Sequence, residues 1–198
     1  MEKNLDIENM TPVTIDSAQQ LRDVLNAYGV KTRTWDTPPH KDVNRLYDEV
    51  VAGESRIVHL GEQIGRLVSV VNVDVRATIG RRSFQLIEDR QDFIRGGETR
   101  SRGLRCVSEK IQGEEEPETA ARRGLKEELG VDFAGLLVSA GEPETEAKSS
   151  SHSYPGLLSI YQKHLFTAQF GLAEWKPEGY VEYQLDKSTF FVWQELPS

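Results

Sequence analysis

The run EKIQGEEEPETAARRGLKEELGV, from Glu109 to Val131, constrains this chain more than any other stretch. Its second half is written as a helix. Pro117 suits the first helical position, where a missing N–H is no loss, and Glu115, Glu116 and Glu118 lie where the helix dipole favours negative charge. Ala121, Leu125 and Leu129 recur every fourth residue and form one apolar stripe, and Gly130 supplies a left-handed stop. Beside the stripe, Glu127 and Glu128 are adjacent carboxylates, with Arg123 one turn back from Glu127. Paired carboxylates on a rigid helix next to an acidic loop suit Mg²⁺ or Mn²⁺, which take oxygen ligands.

This stretch resembles the Nudix box: Gly, five residues, Glu, seven residues, then Arg-Glu-apolar-any-Glu-Glu-any-Gly-apolar. Glu115 takes the first Glu, Arg123 the Arg, Leu125 the apolar place, Glu127 and Glu128 the pair, and Gly130 and Val131 the close. Two positions depart. Glu109 stands where the pattern opens on Gly, and Gly124 stands where the family has a Glu that usually joins the pair as a metal ligand. The resemblance implies an α/β fold, a Nudix-like α-β-α sandwich around a mixed sheet, over residues 54–198. It also implies a metal-dependent pyrophosphohydrolase, with Mg²⁺ (or Mn²⁺) as cofactor. The substrate it implies is a small-molecule nucleotide, a nucleoside diphosphate linked to another moiety. On this resemblance the metal ligands are Glu115, Glu127 and Glu128 with the backbone carbonyl of Glu109. The Glu109 carboxylate is a further candidate, either replacing the ligand missing at Gly124 or facing solvent or an arginine such as Arg105. Arg123 orients the carboxylates through a pair with Glu115, a supporting task of the kind that tunes metal sites. In the family a general base often comes from a carboxylate ahead of the last strand. Glu182 and Asp186 occupy that connection, and Glu182 joins Arg123, Glu127 and Glu128 as a catalytic candidate. Gly124 supports a second reading, a box that keeps a nucleotide or ADP-ribose pocket but little hydrolysis. A third makes the protein an interaction subunit.

Between Arg81 and Arg105 stand seven arginines against four acids, in a chain whose formal net charge is −8. Arg95, Arg102 and Arg105 are candidates for holding substrate phosphates, because guanidinium groups take phosphate bidentately. The competing reading is that they neutralise the acidic loop. The overall negative charge argues against non-specific nucleic-acid binding and against an anionic membrane surface. No apolar run approaches the roughly 18 residues needed to cross a bilayer. The acidic start MEKNLDIENM carries no apolar signal region, so a cytoplasmic protein is expected. The single cysteine, Cys106, excludes an intrachain disulfide, and its LRCV setting suits a small core residue.

Residues 1–53 read as a helical extension. Leu21, Val24 and Leu25 share one face of a helix capped by Ser17, and Val43, Leu46, Tyr47 and Val50 share a face of a second over 42–52. Their apolar faces need a cover, either the sheet or a partner chain as in a homodimer. RIVHL, the valine-rich GRLVSVVNVDVRATI, SFQLIEDRQDF, SIYQKHLFTAQF and TFFVWQEL read as strands. The polar segment near 139–156 reads as a mobile loop, and WKPEGYVEYQLD as a connection. Trp175, Tyr180 and Tyr183 either stack on a nucleobase or pack on the sheet.

Overall fold

The strands and helices expected from the sequence form, and the chain is mixed α/β in a computed structural model. The structure describes residues 10–35, 37, 40–94, 96–138 and 143–197, with 136–138 as backbone. Two compact units divide these residues.

The first unit holds residues up to 70 together with 110–115 and 143–163. Helix α1 (Ala18–Ala27) starts at Ser17, whose hydroxyl accepts from the Gln20 N–H. Helix α2 (Val43–Val51) starts at Asp42, whose carboxylate accepts from the Arg45 N–H. Each cap satisfies an N–H that the helix itself leaves open. Strands β1 (Thr11–Pro12) and β2 (Arg56–Leu60) pair antiparallel, and β2 pairs with the first half of β3 (Gln63–Ile79). The helical faces are covered from within this unit. Leu21, Leu25, Val43 and Leu46 share one core with Trp35, Ile57, Ile64, Tyr154 and Leu157.

Tyr154 and Trp35 are fully buried with ring centroids 5.2 Å apart, and the Trp35 indole donates to the Pro155 carbonyl at 2.9 Å. In the segment read as a mobile loop, the described residues 143–156 are therefore built into this unit. Glu144–Lys148 forms a strand, and Tyr154 is an anchor of the core. Residues 139–142 of that segment lie outside the described residues. Beside the core sits a buried ion cluster. The Glu49 carboxylate meets Lys41 at 2.8 Å, Arg66 at 3.0 Å and Lys110 at 3.1 Å, and accepts from Ser55 and Tyr154 hydroxyls. Burial alone would raise its pKa, but Lys110, Lys41 and Arg66 outweigh that and bring it down to about 2.

The second unit holds 71–109, 116–142 and 164–198, as far as these are described. The end of β3 turns back into β4 (Arg82–Phe93), with Ile79 opposite Arg82. β4 pairs antiparallel with β11 (Lys187–Glu195), and β11 with β10 (Tyr180–Tyr183). β5 (Thr99–Leu104) lies along β4, and β6 (Val107–Lys110) follows it. β7 (Leu136–Val138) pairs with the later half of β9 (Leu158–Phe170), whose earlier half carries β8 (Glu144–Lys148) in the first unit. The only helix described in this unit is α3 (Pro117–Leu129). It buries Ala120, Ala121, Gly124, Leu125 and Leu129. Trp175 packs against Trp193 at 4.6 Å and Phe84 at 5.0 Å, and Tyr180 is buried, while Tyr183 is exposed. No helix among the described residues is long and apolar enough to cross a membrane.

Candidate functional site

Helix α3 carries the box. Pro117 occupies its first turn with Glu118, and Gly130 ends it in the left-handed conformation at φ +67°, as the box spacing requires. Beyond Gly130 the Arg122 guanidinium donates to the carbonyls of Phe133 and Ala134, fixing how the chain leaves the helix.

The two departures from the box meet each other. Gly124 is buried against β6, and a Cβ built there would lie 2.9 Å from the Glu109 Cβ and 3.8 Å from Val107 Cγ1. A glycine inside a helix costs about 1 kcal/mol relative to alanine. Here it lets the helix backbone come down onto the Glu109 side chain. Glu109 thus occupies the space that a side chain at 124 would need. Its carboxylate accepts from Arg123 at 3.1 Å, and the same Arg123 reaches Glu127 at 3.5 Å. Glu127 is the more exposed of these groups, whereas Glu109 and Arg123 are each 21% exposed.

Glu128, one position further round the helix, is less exposed than Glu127. Its carboxyl is raised to about 9, first by burial and then by the charges of Glu182, Glu88 and Glu109, against which Lys187 works. Four carboxylates from α3, β4, β6 and β10 therefore act on one another, with one ammonium among them. Glu88 is buried on β4 and accepts from Arg102 at 3.0 Å. Burial raises its carboxyl, and Arg102 and Lys187 offset that only in part. As placed, no three carboxylate, His or Cys side chains among the described residues stand close enough together to hold a metal ion. The donor chemistry fits Mg²⁺ or Mn²⁺, since every neighbour of Glu128 in the cluster except Lys187 offers oxygen.

The other expected residues fall in several places. Arg102 is engaged by Glu88, and Arg105 donates to Gln85 Oε1 at 3.4 Å. Arg95 lies outside the described residues. Glu115 belongs to the first unit, where its carboxylate accepts from the Gln112 N–H at 3.3 Å. Glu182 sits on β10 within electrostatic reach of Glu88 and Glu128, and accepts from Gln184 at 2.6 Å. Asp186 is exposed, and its backbone carbonyl accepts from Ile94. The sequence had given no sign of Glu88 or Lys187. Glu88 and Asp89 are consecutive in a strand, and only the register of β4 against β11, with its bulge at Phe190/Phe191, decides which turns inward.

No family model matches the chain, and no curated protein matches it. Solved structures with a likeness include an Ap4A hydrolase from C. elegans, 13% identical over 65% of this chain and 80% of that one, at a TM-score of 0.37. A MutT/nudix family protein from Enterococcus faecalis is 13% identical over 66% of this chain and 44% of its own, at 0.40. The NUDIX domain of Shewanella oneidensis NrtR, solved with ADP ribose, is 14% identical over 63% and 70%, at 0.33. At TM-scores this low the likeness assigns neither family nor chemistry to the chain.

Proposed function

We propose that the acidic cluster around Glu128 binds a divalent cation and that the protein hydrolyses the diphosphate linkage of a nucleoside diphosphate derivative. One observation carries this reading. Glu128 is half-buried within reach of the Glu88, Glu109 and Glu182 charges, of which Arg102 offsets Glu88 and Arg123 offsets Glu109, while Lys187 is the cation that acts on Glu128, an arrangement that a divalent cation stabilises. Glu109, Glu127 and Glu128 are the residues that would hold the ion, with Glu109 standing in for the carboxylate that Gly124 lacks. When bound, the cation supplies charge neutralisation to the diphosphate. Arg123 orients two of the carboxylates, since it bonds to both Glu109 and Glu127. Glu182 would accept a proton from water, and Arg105, which bonds the neutral Gln85 rather than a carboxylate, would meet a phosphate, whereas Arg102 is held by Glu88. The nucleotide part of the substrate follows from the box alone.

Gly124 favours one alternative, a pocket that binds nucleotide without turning it over. A panel of nucleoside diphosphate derivatives, incubated with Mg²⁺ or Mn²⁺ and with EDTA as control, separates the two. Metal-dependent release of nucleotide or phosphate supports the hydrolase. Binding without release across the panel supports the alternative.

A further inference from the structure

Thr189 lies on β11 opposite Glu182 on β10 and opposite Gln91 on β4. Directly opposed residues of antiparallel strands present their side chains on one face, so Glu182, Thr189 and Gln91 form a row across three strands. Lys187, two residues before Thr189, shares that face. Glu182 in turn acts on both Glu88 and Glu128. Thr189 is 2% exposed, and among the described residues its Oγ1 meets no hydrogen-bond partner. A hydroxyl in that position carries the full penalty of an unmade bond, whereas valine has the same branched shape and none of the penalty. The other orphaned buried atom, Arg66 Nε, is different in kind. Its guanidinium already bonds Glu49 and Tyr161, as one edge of a structural ion cluster.

We propose that Thr189 is a positioning residue whose hydroxyl holds an ordered water against the Glu182 carboxylate. Buried waters bridge polar groups that protein partners leave unsatisfied, and this row sets the unpartnered Thr189 hydroxyl opposite Glu182, a carboxylate for which one oxygen accepts from Gln184 and the other can accept from water. The proposal rests on the hydrolase reading for the water's use. There its oxygen forms a bond to one phosphorus of the diphosphate, one of its protons passes to Glu182 and the other stays on that oxygen. The bridging P–O bond breaks, and its electron pair leaves on the released phosphate. Thr189 fixes the direction from which that oxygen approaches.

Wild type, Thr189→Val and Thr189→Ser decide the matter when each is crystallised, melted, and assayed on nucleoside diphosphate derivatives with Mg²⁺. The expected result is a water bonded to Thr189 Oγ1 and Glu182 in wild type, kept in the serine variant and lost in the valine variant. Valine lowers Tm by about 2–4 °C. It also lowers kcat by roughly a hundredfold with KM little changed, and serine restores most of both. A dry hydroxyl in the wild-type crystal overturns the proposal. So does a valine variant that melts above wild type, or one with unchanged kcat in an active enzyme. If the valine variant fails to fold, the wild-type crystal and the serine variant still decide. A wild type that holds the water yet turns over none of the panel overturns the hydrolase reading alone.

Discussion

Replacing Glu128 by Gln has opposite consequences with and without a divalent cation. In the metal-free protein, burial and then the charges of Glu182, Glu88 and Glu109 hold this carboxyl near 9, against an ordinary 4.5. The folded-state value is the higher one, so the folded chain keeps a proton that the unfolded chain gives up. Stability linked to this group is full below about pH 4.5 and is lost as pH rises toward 9. At about 1.4 kcal/mol per pH unit, the loss at neutral pH reaches about 3 kcal/mol. Glutamine has the shape and neutrality of the protonated acid and escapes it. In EDTA near neutral pH, Glu128→Gln is therefore expected to melt higher than wild type by about 6–12 °C, with the advantage vanishing toward pH 4.5. Saturating Mg²⁺ narrows or reverses the order, because a ligand present at a hundredfold over its Kd stabilises the protein that binds it by about 2.7 kcal/mol. Thermal unfolding followed by circular dichroism across a pH series, with EDTA and with Mg²⁺, reads both effects. A glutamine variant less stable than wild type in EDTA near neutral pH would refute the charge argument.

Three further predictions concern other residues. Gly124→Ala is expected to cost about 1–3 kcal/mol in denaturant unfolding despite alanine's better helix propensity, because its Cβ meets Glu109 Cβ at 2.9 Å. In calorimetric titration with Mn²⁺, Glu109→Ala weakens binding and the exchange Glu109→Gly with Gly124→Glu restores it, whereas equal affinities in all three proteins would separate both residues from the metal. Glu49→Gln leaves Lys41, Arg66 and Lys110 without their shared carboxylate and is expected to cost about 3 kcal/mol at neutral pH, a difference that fades as pH falls from 4.5 toward 2, while an unchanged urea midpoint would show the ion cluster to be energetically idle. Removing residues 1–53 uncovers Ile57, Ile64, Tyr154 and Leu157 and is expected to cause aggregation or non-cooperative melting, and a soluble fragment from Glu54 that melts cooperatively would contradict it.

Much of the fold was legible in the sequence because its signals are local. Ser17 and Asp42 cap their helices through bonds spanning three residues, and β3 and β9 announce themselves by β-branched and aromatic residues. Strands made by pairing alone were not legible. TRSRGL in β5 and ETEAK in β8 have no apolar alternation, and each is a strand because β4 or β9 offers it a ladder. The site divided in the same way. Glu127, Glu128 and Arg123 share a helix and could be placed by counting, whereas Glu88, Lys187 and Thr189 reach the cluster through cross-strand register. Gly124 shows the limit from the other side. Its absent carboxylate was visible, but the Glu109 side chain that fills its space became visible only with β6 against α3.

Direct titration of Mn²⁺, read by loss of the free-ion paramagnetic signal, tests most directly whether the cluster is a metal site. Performed at one pH near neutral on wild type and on Glu128→Gln, it compares a carboxyl that can give up its proton to the ion with a side chain of the same shape that cannot ionise. The proposal expects saturable binding by wild type and at least a tenfold weaker Kd for the variant, a difference of about 1.4 kcal/mol. Equal Mn²⁺ affinities in the two proteins, or none in either, would contradict it.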